Sequence, residues 1–81
     1  MFTMKKSEET ILIFLDTADD RFKFARHMSN KLSIDYAYLL RILAGLRAKE
    51  LVGCVRRENK VFYRLLSLGK DKVHKIKMSM I

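Results

Sequence analysis

The sequence contains no proline, no tryptophan, three glycines and a single cysteine. Because proline and glycine interrupt helices, their scarcity favours a compact, helix-rich fold. One cysteine cannot form a disulfide within the chain, which is typical of a reducing compartment. The longest apolar run, residues 11–15, is far too short to cross a bilayer, and the first ten residues lack the apolar run of a signal peptide. We therefore expect a soluble intracellular protein.

The sequence also lacks the motifs on which enzymes depend. It has no glycine-rich phosphate loop, no supported pair of carboxylates and no nucleophile motif. Cys54, His27 and His74 lie far apart and match no metal-ligand spacing, so we expect no metal site within one chain and no cofactor. Cys54 is interpreted as a small buried strand residue rather than a redox switch, and His27 as a surface or capping residue. We predict that the protein is not an enzyme.

Acidic residues are scarce in most of the chain. The 81 residues contain 17 Lys and Arg against 9 Asp and Glu, a net charge of +8. Residues 1–20 hold two bases and five acids, whereas residues 21–81 hold 15 bases and four acids. A basic excess confined to one part of a chain indicates a surface that faces a polyanion, although plain solubility is the alternative. At this length the chain is one small domain.

Hydrophobic periodicity predicts helices in the first half of the chain. Ser7 is expected to cap the first helix, whose first turn contains two glutamates that the helix dipole favours. Leu12 and Ile13 lie off the main apolar face of this helix, which indicates either a core position or contact with a partner chain. A second helix is predicted over residues 21–30, and a tight turn over residues 30–33.

The third predicted helix spans about residues 34–49 and is capped by Ser33 or Asp35. Its apolar side chains follow helical spacing closely: Leu39, Ile42, Leu43 and Leu46. The opposite face is unusually smooth, with one arginine among small residues: Ala37, Arg41, Ala44 and Ala48, beside Tyr38 and Gly45. Such a face is suited either to close approach of a ligand or to packing against another element.

After residue 50 the pattern changes to two short segments rich in β-branched and aromatic residues. They predict a hairpin over about residues 51–66, with its turn at Glu58-Asn59-Lys60. A last helix is predicted over about residues 67–79. Three helices, a hairpin and a helix form the arrangement of a helix-turn-helix with a β wing. We therefore predict a mainly α fold, a single winged helix-turn-helix domain over residues 1–81 with a three-helix core and a C-terminal helix.

The stretch from Phe24 to Val52 resembles the helix-turn-helix of bacterial and archaeal winged-helix transcription regulators of the MarR and ArsR type. Phe24-Ala25 matches the apolar residue and alanine that open the family's second helix. Residues 46–52 match its Leu-x-x-x-Gly-Leu-Val ending, with Glu50 in place of the glycine. Residues 61–69 are similar to the family's passage from the second strand into the final helix.

This resemblance implies a homodimer on double-stranded DNA, with a recognition helix in each major groove and each wing along the backbone or minor groove. It implies a sequence-specific transcription regulator, in most cases a repressor, in the cytoplasm of a prokaryote and associated with the nucleoid. The chain is shorter than typical MarR proteins, which carry longer helices at both ends for dimerisation.

Candidate DNA contacts follow from this placement. Arg41 can donate two hydrogen bonds to guanine O6 and N7, while small side chains such as Ala37 permit close approach and Tyr38 can reach a thymine methyl or a phosphate. Near the helix start, phosphates are expected to contact Lys31, Ser33 and Tyr36. In the wing, the expected contacts with phosphates and the minor groove are Arg56, Arg57, Asn59 and Lys60. The second helix offers two further candidates, Lys23 and Arg26.

Other interpretations of the same features stay open. Apolar residues of the first and last helices are candidates for a dimer interface: Leu12, Ile13, Val73, Ile76 and Met80. A monomer with an enclosed first helix is the alternative. For function, a winged helix used as a protein–protein interaction module of a larger transcription or replication assembly is the main alternative. Binding to duplex RNA is less compatible with the fold, because a helix cannot enter the deep, narrow major groove of A-form RNA.

Overall fold

The structure is a computed structural model that describes residues 5–79. Four α-helices surround the base of one two-stranded antiparallel sheet. In chain order the elements are α1 (Lys6–Thr17), a 3₁₀ turn (Asp20–Phe22), α2 (Ala25–Leu32), α3 (Tyr36–Ala48), β1 (Val52–Arg57), β2 (Lys60–Leu65) and α4 (Ser67–Ser79). The predicted winged-helix fold is confirmed.

One hydrophobic core joins the helices to the base of the hairpin. All four apolar residues predicted for the inner face of α3 are buried, and Leu12 of α1 has no exposed surface. Further core residues come from α1, α2, α4, both strands and the residue before β1: Ile11, Leu15, Ala25, Met28, Leu51, Val52, Leu65, Val73 and Ile76. Leu12 is therefore enclosed by its own chain, which was one of the two alternatives for the first helix.

The start of α1 differs from the prediction. Lys5 occupies the N-cap position, and its backbone N–H donates to the Glu8 carboxylate at 3.1 Å. Ser7 lies inside the first turn, so its predicted capping role was wrong. The two glutamates of this turn still interact favourably with the positive end of the helix dipole.

The second helix begins four residues later than predicted, because backbone pairing with the hairpin competes with helix formation. Residues 20–22 form a 3₁₀ turn, capped by the Asp19 carboxylate, which accepts from the Arg21 N–H at 3.1 Å. The next two residues pair with the hairpin. The Tyr63 N–H donates to the Lys23 carbonyl at 2.8 Å, and Phe24 forms an isolated bridge with Phe62.

The turn between α2 and α3 is closed by Ser29. Its hydroxyl donates to the Ile34 carbonyl at 2.6 Å, and its own carbonyl accepts from the Ile34 N–H at 3.1 Å. Ser33 adopts a left-handed conformation (φ 55°) and ends α2. Of the two predicted caps for α3, Asp35 is the one used, because its carboxylate accepts from the Tyr38 N–H at 3.1 Å.

Glu50 ends α3 in the left-handed conformation that glycine usually adopts at this position. Its φ is 60°, and the Leu51 N–H donates back to the Leu46 carbonyl at 3.0 Å. Glu50 therefore adopts this conformation with the steric cost that a Cβ adds there.

The hairpin turn has two residues rather than the predicted three. Arg57 pairs with Lys60, so Glu58 and Asn59 alone form the turn. Both have positive φ, 49° and 66°, as expected for a type I′ hairpin turn. Lys60 is consequently the first residue of β2 and not part of the loop.

The base of the wing is fixed to the start of α4 through the Leu51 carbonyl. This oxygen accepts from the Leu66 N–H at 3.0 Å. Gly69 packs against the same carbonyl so closely that a Cβ there would lie 2.0 Å from the oxygen. Only glycine allows this approach without moving backbone.

Replacing Gly69 by alanine is expected to destabilise the protein by about 3 kcal/mol, because the clash is with backbone atoms that cannot rotate away. The matched control is Gly45→Ala in the exposed part of α3, where a Cβ meets no atom within 4 Å. That substitution is expected to stabilise by about 0.5–1 kcal/mol. Denaturant unfolding measures both, and equal stabilities for the two variants would contradict the packing described.

Candidate nucleic-acid interface

The outer surface of α3 lies directly opposite its buried side. Ala37, Arg41, Ala44 and Ala48 are all exposed and follow one another at helical spacing. No other element covers them within the described residues, so the smooth face is free rather than packed. We call these four residues the outer stripe of α3.

Two different borders flank the outer stripe. On the wing side, Tyr36 and Leu40 are 37% and 38% exposed and face the hairpin across a groove. On the other side, Tyr38 is 42% exposed and borders a groove of about 260 Å³ next to the start of α1. There Lys49 lies 3.4 Å from the Glu8 carboxylate. The stripe is thus bordered by aromatic and aliphatic side chains towards the wing, and by Tyr38 and an ion pair on the other side.

The wing presents its polar residues to solvent. Arg56, Arg57, Asn59 and Lys60 are all exposed, as the sequence led us to expect for a wing tip. Successive strand residues point to opposite faces of the hairpin. Arg56 and its partner Val61 therefore share the face that carries Tyr63, whereas Arg57 shares the other face with Phe62.

A groove of about 480 Å³ separates α3 from the wing. One wall carries Arg26, whose guanidinium carbon lies 4.4 Å from the centre of the Tyr36 ring. The other carries Lys60, whose Nζ lies 4.4 Å from the centre of the Phe24 ring. Apolar side chains, Asn59 and Tyr63 complete the lining, and burial raises the pKa of the Tyr63 hydroxyl. We call this the wing groove.

The opposite face of the hairpin has a different character. A second groove of about 390 Å³ there is lined by both signs of charge, including Asp19, Asp20 and Glu58. Lys23 donates to the Asp20 carboxylate at 2.8 Å, and its side chain is only 13% exposed. This hydrogen bond, with a smaller contribution from Arg57, lowers the pKa of Asp20. Lys23 is therefore paired with a carboxylate of its own chain, whereas Arg26 contacts an aromatic ring.

The predicted residues near the start of α3 are not all brought together. Tyr36 joins the wing groove, and Ser33 is exposed in the turn. Lys31 instead borders a separate cavity of about 540 Å³ with Phe14, Phe22 and His27. In that cavity His27 stacks on Phe22, with ring centres 4.8 Å apart. His27 is thus half-buried in an aromatic cluster, not a surface or capping residue.

Sequence reasoning missed the stacked pair of Arg26 and Tyr36. The two residues belong to different helices joined by a turn, and no spacing rule relates them. Sequence reasoning also placed Cys54 in the interior, whereas the structure shows this residue exposed. Cys54 lies in β1, past the buried residue at the start of the strand, in the part of the wing that extends from the core. That prediction was wrong.

The residues predicted to form a dimer interface lie mostly inside the chain. Leu12, Val73 and Ile76 are buried in the core, since α1 packs on α4 within one chain. Ile13 is half-buried against that core. Met80 lies outside the described residues. The side chains of the three buried residues are thus already covered by their own chain.

The described residues contain no group of three or more His, Cys, Asp and Glu side chains that could hold a metal ion. None of the helices between residues 5 and 79 combines the length and apolarity that a membrane span requires. The outer stripe, the wing groove and the wing carry exposed cationic side chains.

Two solved structures share this fold. Both are of ZitR from Lactococcus lactis: a mutant with one glutamate replaced by alanine, with a TM-score of 0.70, and a mutant with one cysteine replaced by serine, with a TM-score of 0.72. Each is 21% identical to this chain, and the matches cover 96% and 99% of it. The chain spans only 57% and 59% of the length of those chains. No protein-family model matches the sequence, and a comparison with curated proteins finds no match.

Removing the cap of α3 is expected to loosen the end of the helix that borders the wing groove. Asp35→Ala should cost about 1 kcal/mol and speed hydrogen exchange at the Tyr38 amide, which loses its acceptor. Asp35→Ser restores a capping oxygen and should return both values towards those of the unchanged protein. Denaturant unfolding and amide exchange measure the effect; unaltered exchange in Asp35→Ala would contradict the capping role.

Proposed function

We propose that the protein is a sequence-specific, duplex-DNA-binding transcription regulator, with α3 in the major groove and the wing on the backbone and minor groove. The observation that carries this proposal is the outer stripe of α3. It is exposed, it projects one arginine from small residues, and a cationic wing lies beside it. A major groove about 12 Å wide admits a helix of this kind.

The stripe supplies the chemistry for reading bases. Ala37 and Ala44 let the helix approach the base edges, and Arg41 between them donates two hydrogen bonds to guanine O6 and N7. Tyr38, on the border of the stripe, contacts a thymine methyl or a phosphate. Arg41 is therefore assigned to sequence preference rather than to general affinity.

The wing supplies contacts that do not depend on sequence. Arg56, Arg57 and Asn59 lie at or next to the two-residue turn and are exposed. Arginines at such a tip bind phosphates and favour a narrow, electronegative minor groove. Ser33 and Lys31 add phosphate contacts near the start of α3.

The resemblance to MarR and ArsR regulators supports the finer parts of the proposal: a homodimer, repression, and a site on the nucleoid in the cytoplasm of a prokaryote. The whole chain acts as one winged-helix domain. Because Leu12, Val73 and Ile76 are covered within the chain, the dimer contact uses surface that remains accessible on α1 and α4, such as Ile13 and Met78, which is 59% exposed. Two-fold symmetry then requires a palindromic operator, with half-sites about one helical turn, 10–10.5 bp, apart.

The first experiment is duplex-DNA binding by the purified protein at two salt concentrations, with random-sequence DNA and with a selected pool. We expect salt-sensitive binding and enrichment of a palindromic sequence, with duplex RNA as a poor competitor. Absence of binding even at low salt would overturn the proposal and favour the protein–protein interaction module.

Two substitutions should separate base reading from backbone binding. Arg41→Ala is expected to reduce discrimination against a changed base in the operator by about 1–3 kcal/mol, because the bidentate contact is lost. Arg57→Ala should weaken all sequences alike and reduce the slope of log K against log salt by about 0.9.

The matched control is Lys75→Ala, which removes one exposed positive charge from α4, away from the wing. It should change neither discrimination nor slope. The assignment of α3 to the major groove would be wrong if Arg41→Ala kept the full preference for the operator.

A further inference from the structure

The wing groove is positive at its rim and contains no acid among the residues that line it. Arg26 stands on one wall and Lys60 on the other, and apolar side chains such as Leu40 and Val61 lie between them. The groove across the hairpin, in contrast, contains both signs of charge, with three carboxylates among its four cations. Of these two grooves, the wing groove is therefore the one in which a polyanion would meet cations without a competing carboxylate.

Both cations of the wing groove are held in place by aromatic rings. Arg26 lies over Tyr36 and Lys60 over Phe24, each 4.4 Å from the ring centre. A guanidinium stacked on a ring keeps its N–H groups, which lie in its plane, available for an acceptor. Stacking also restricts the side chain before any ligand binds, so less conformational entropy is lost on binding.

We propose that the wing groove holds one sugar–phosphate strand of the bound duplex, with Arg26 and Lys60 on its phosphates. This rests on the proposed function. When α3 lies in the major groove and the wing tip reaches the adjacent minor groove, the strand that separates the two grooves has to pass between α3 and the wing. The wing groove is the space between them, and Leu40 and Val61 offer apolar surface to the deoxyribose rings.

The proposal gives Tyr36 and Lys60 different roles from those that the sequence alone predicts. Tyr36 becomes a positioning residue that holds Arg26, instead of a direct phosphate contact through its hydroxyl. Lys60 acts from the rim of the groove rather than from the turn, because it is the first residue of β2 and its Nζ lies over the Phe24 ring. Arg26, a lesser candidate from sequence, becomes a main backbone contact.

The test measures affinity for the selected duplex across a series of salt concentrations. Arg26→Ala and Lys60→Ala should each weaken binding about tenfold. Each should also reduce the slope of log K against log salt by about 0.9, equally for operator and random DNA. The matched control is Arg21→Ala: Arg21 also lies over a ring, 5.0 Å from the centre of Phe22, but lines the groove across the hairpin, where the Asp19 carboxylate lies 3.6 Å from it. It should leave the slope unchanged.

A double-mutant cycle tests the positioning role of Tyr36. Tyr36→Phe keeps the ring and should bind like the unchanged protein. Tyr36→Leu should weaken binding only while Arg26 is present, so the double variant with Arg26→Ala should be no weaker than Arg26→Ala alone. Thermal unfolding of each variant checks that it remains folded.

Several outcomes would overturn the inference while leaving the proposed function intact. One is an unchanged salt slope in Arg26→Ala and Lys60→Ala, with the original protein still binding duplex DNA. Another is loss of affinity in Tyr36→Phe, or additive effects in the cycle, since either would show that Tyr36 contacts DNA independently. If the original protein binds no duplex DNA at all, the proposed function fails as well.

Discussion

The burial of one side of α3 is the constraint on which the rest of the structure depends. Four branched apolar side chains at helical spacing enter the core, and this fixes the rotation of the helix about its axis. Because the rotation is fixed, the alanine and arginine face can point only to solvent. At 81 residues the core is small, so a helix that turned to bury its outer stripe would lose a large part of the stabilising free energy.

The position of the wing depends on backbone contacts at two points. Near the start of α2, the Lys23 carbonyl and Phe24 pair with β2, which makes a segment before the helix extend the sheet. At its base, the Leu51 carbonyl holds Leu66 and packs on Gly69. The tip beyond these points is a two-residue turn. The wing is therefore anchored along one side and at its base, while its basic tip stays in solvent.

Periodic features of the sequence predicted the fold well, and contacts between elements were harder to predict. The inner and outer faces of α3 follow from a 3.6-residue repeat, and the hairpin follows from β-branched residues around Asn59. The late start of α2 does not follow from any local pattern, because it results from pairing with a strand that comes much later in the chain. Leu12 is buried in a core that α1 forms with later elements, including α4. The periodicity of α1 alone cannot predict which later elements pack on it. In the candidate site, the residues of the outer stripe were predictable as one face of α3, and their exposure was one of two alternatives. The stacking of Arg26 on Tyr36 depends on the geometry of the turn between two helices.

The inner and outer residues of α3 are separate sets, so the outer stripe can be substituted without altering the core. No residue of the outer stripe belongs to the core, and no core residue of α3 belongs to the stripe. Substitutions at positions 37, 41, 44 and 48 can therefore accumulate with little effect on folding, provided that they keep helix propensity. The same scaffold can host a library randomised at these four positions, from which altered recognition is selected without redesign of the fold.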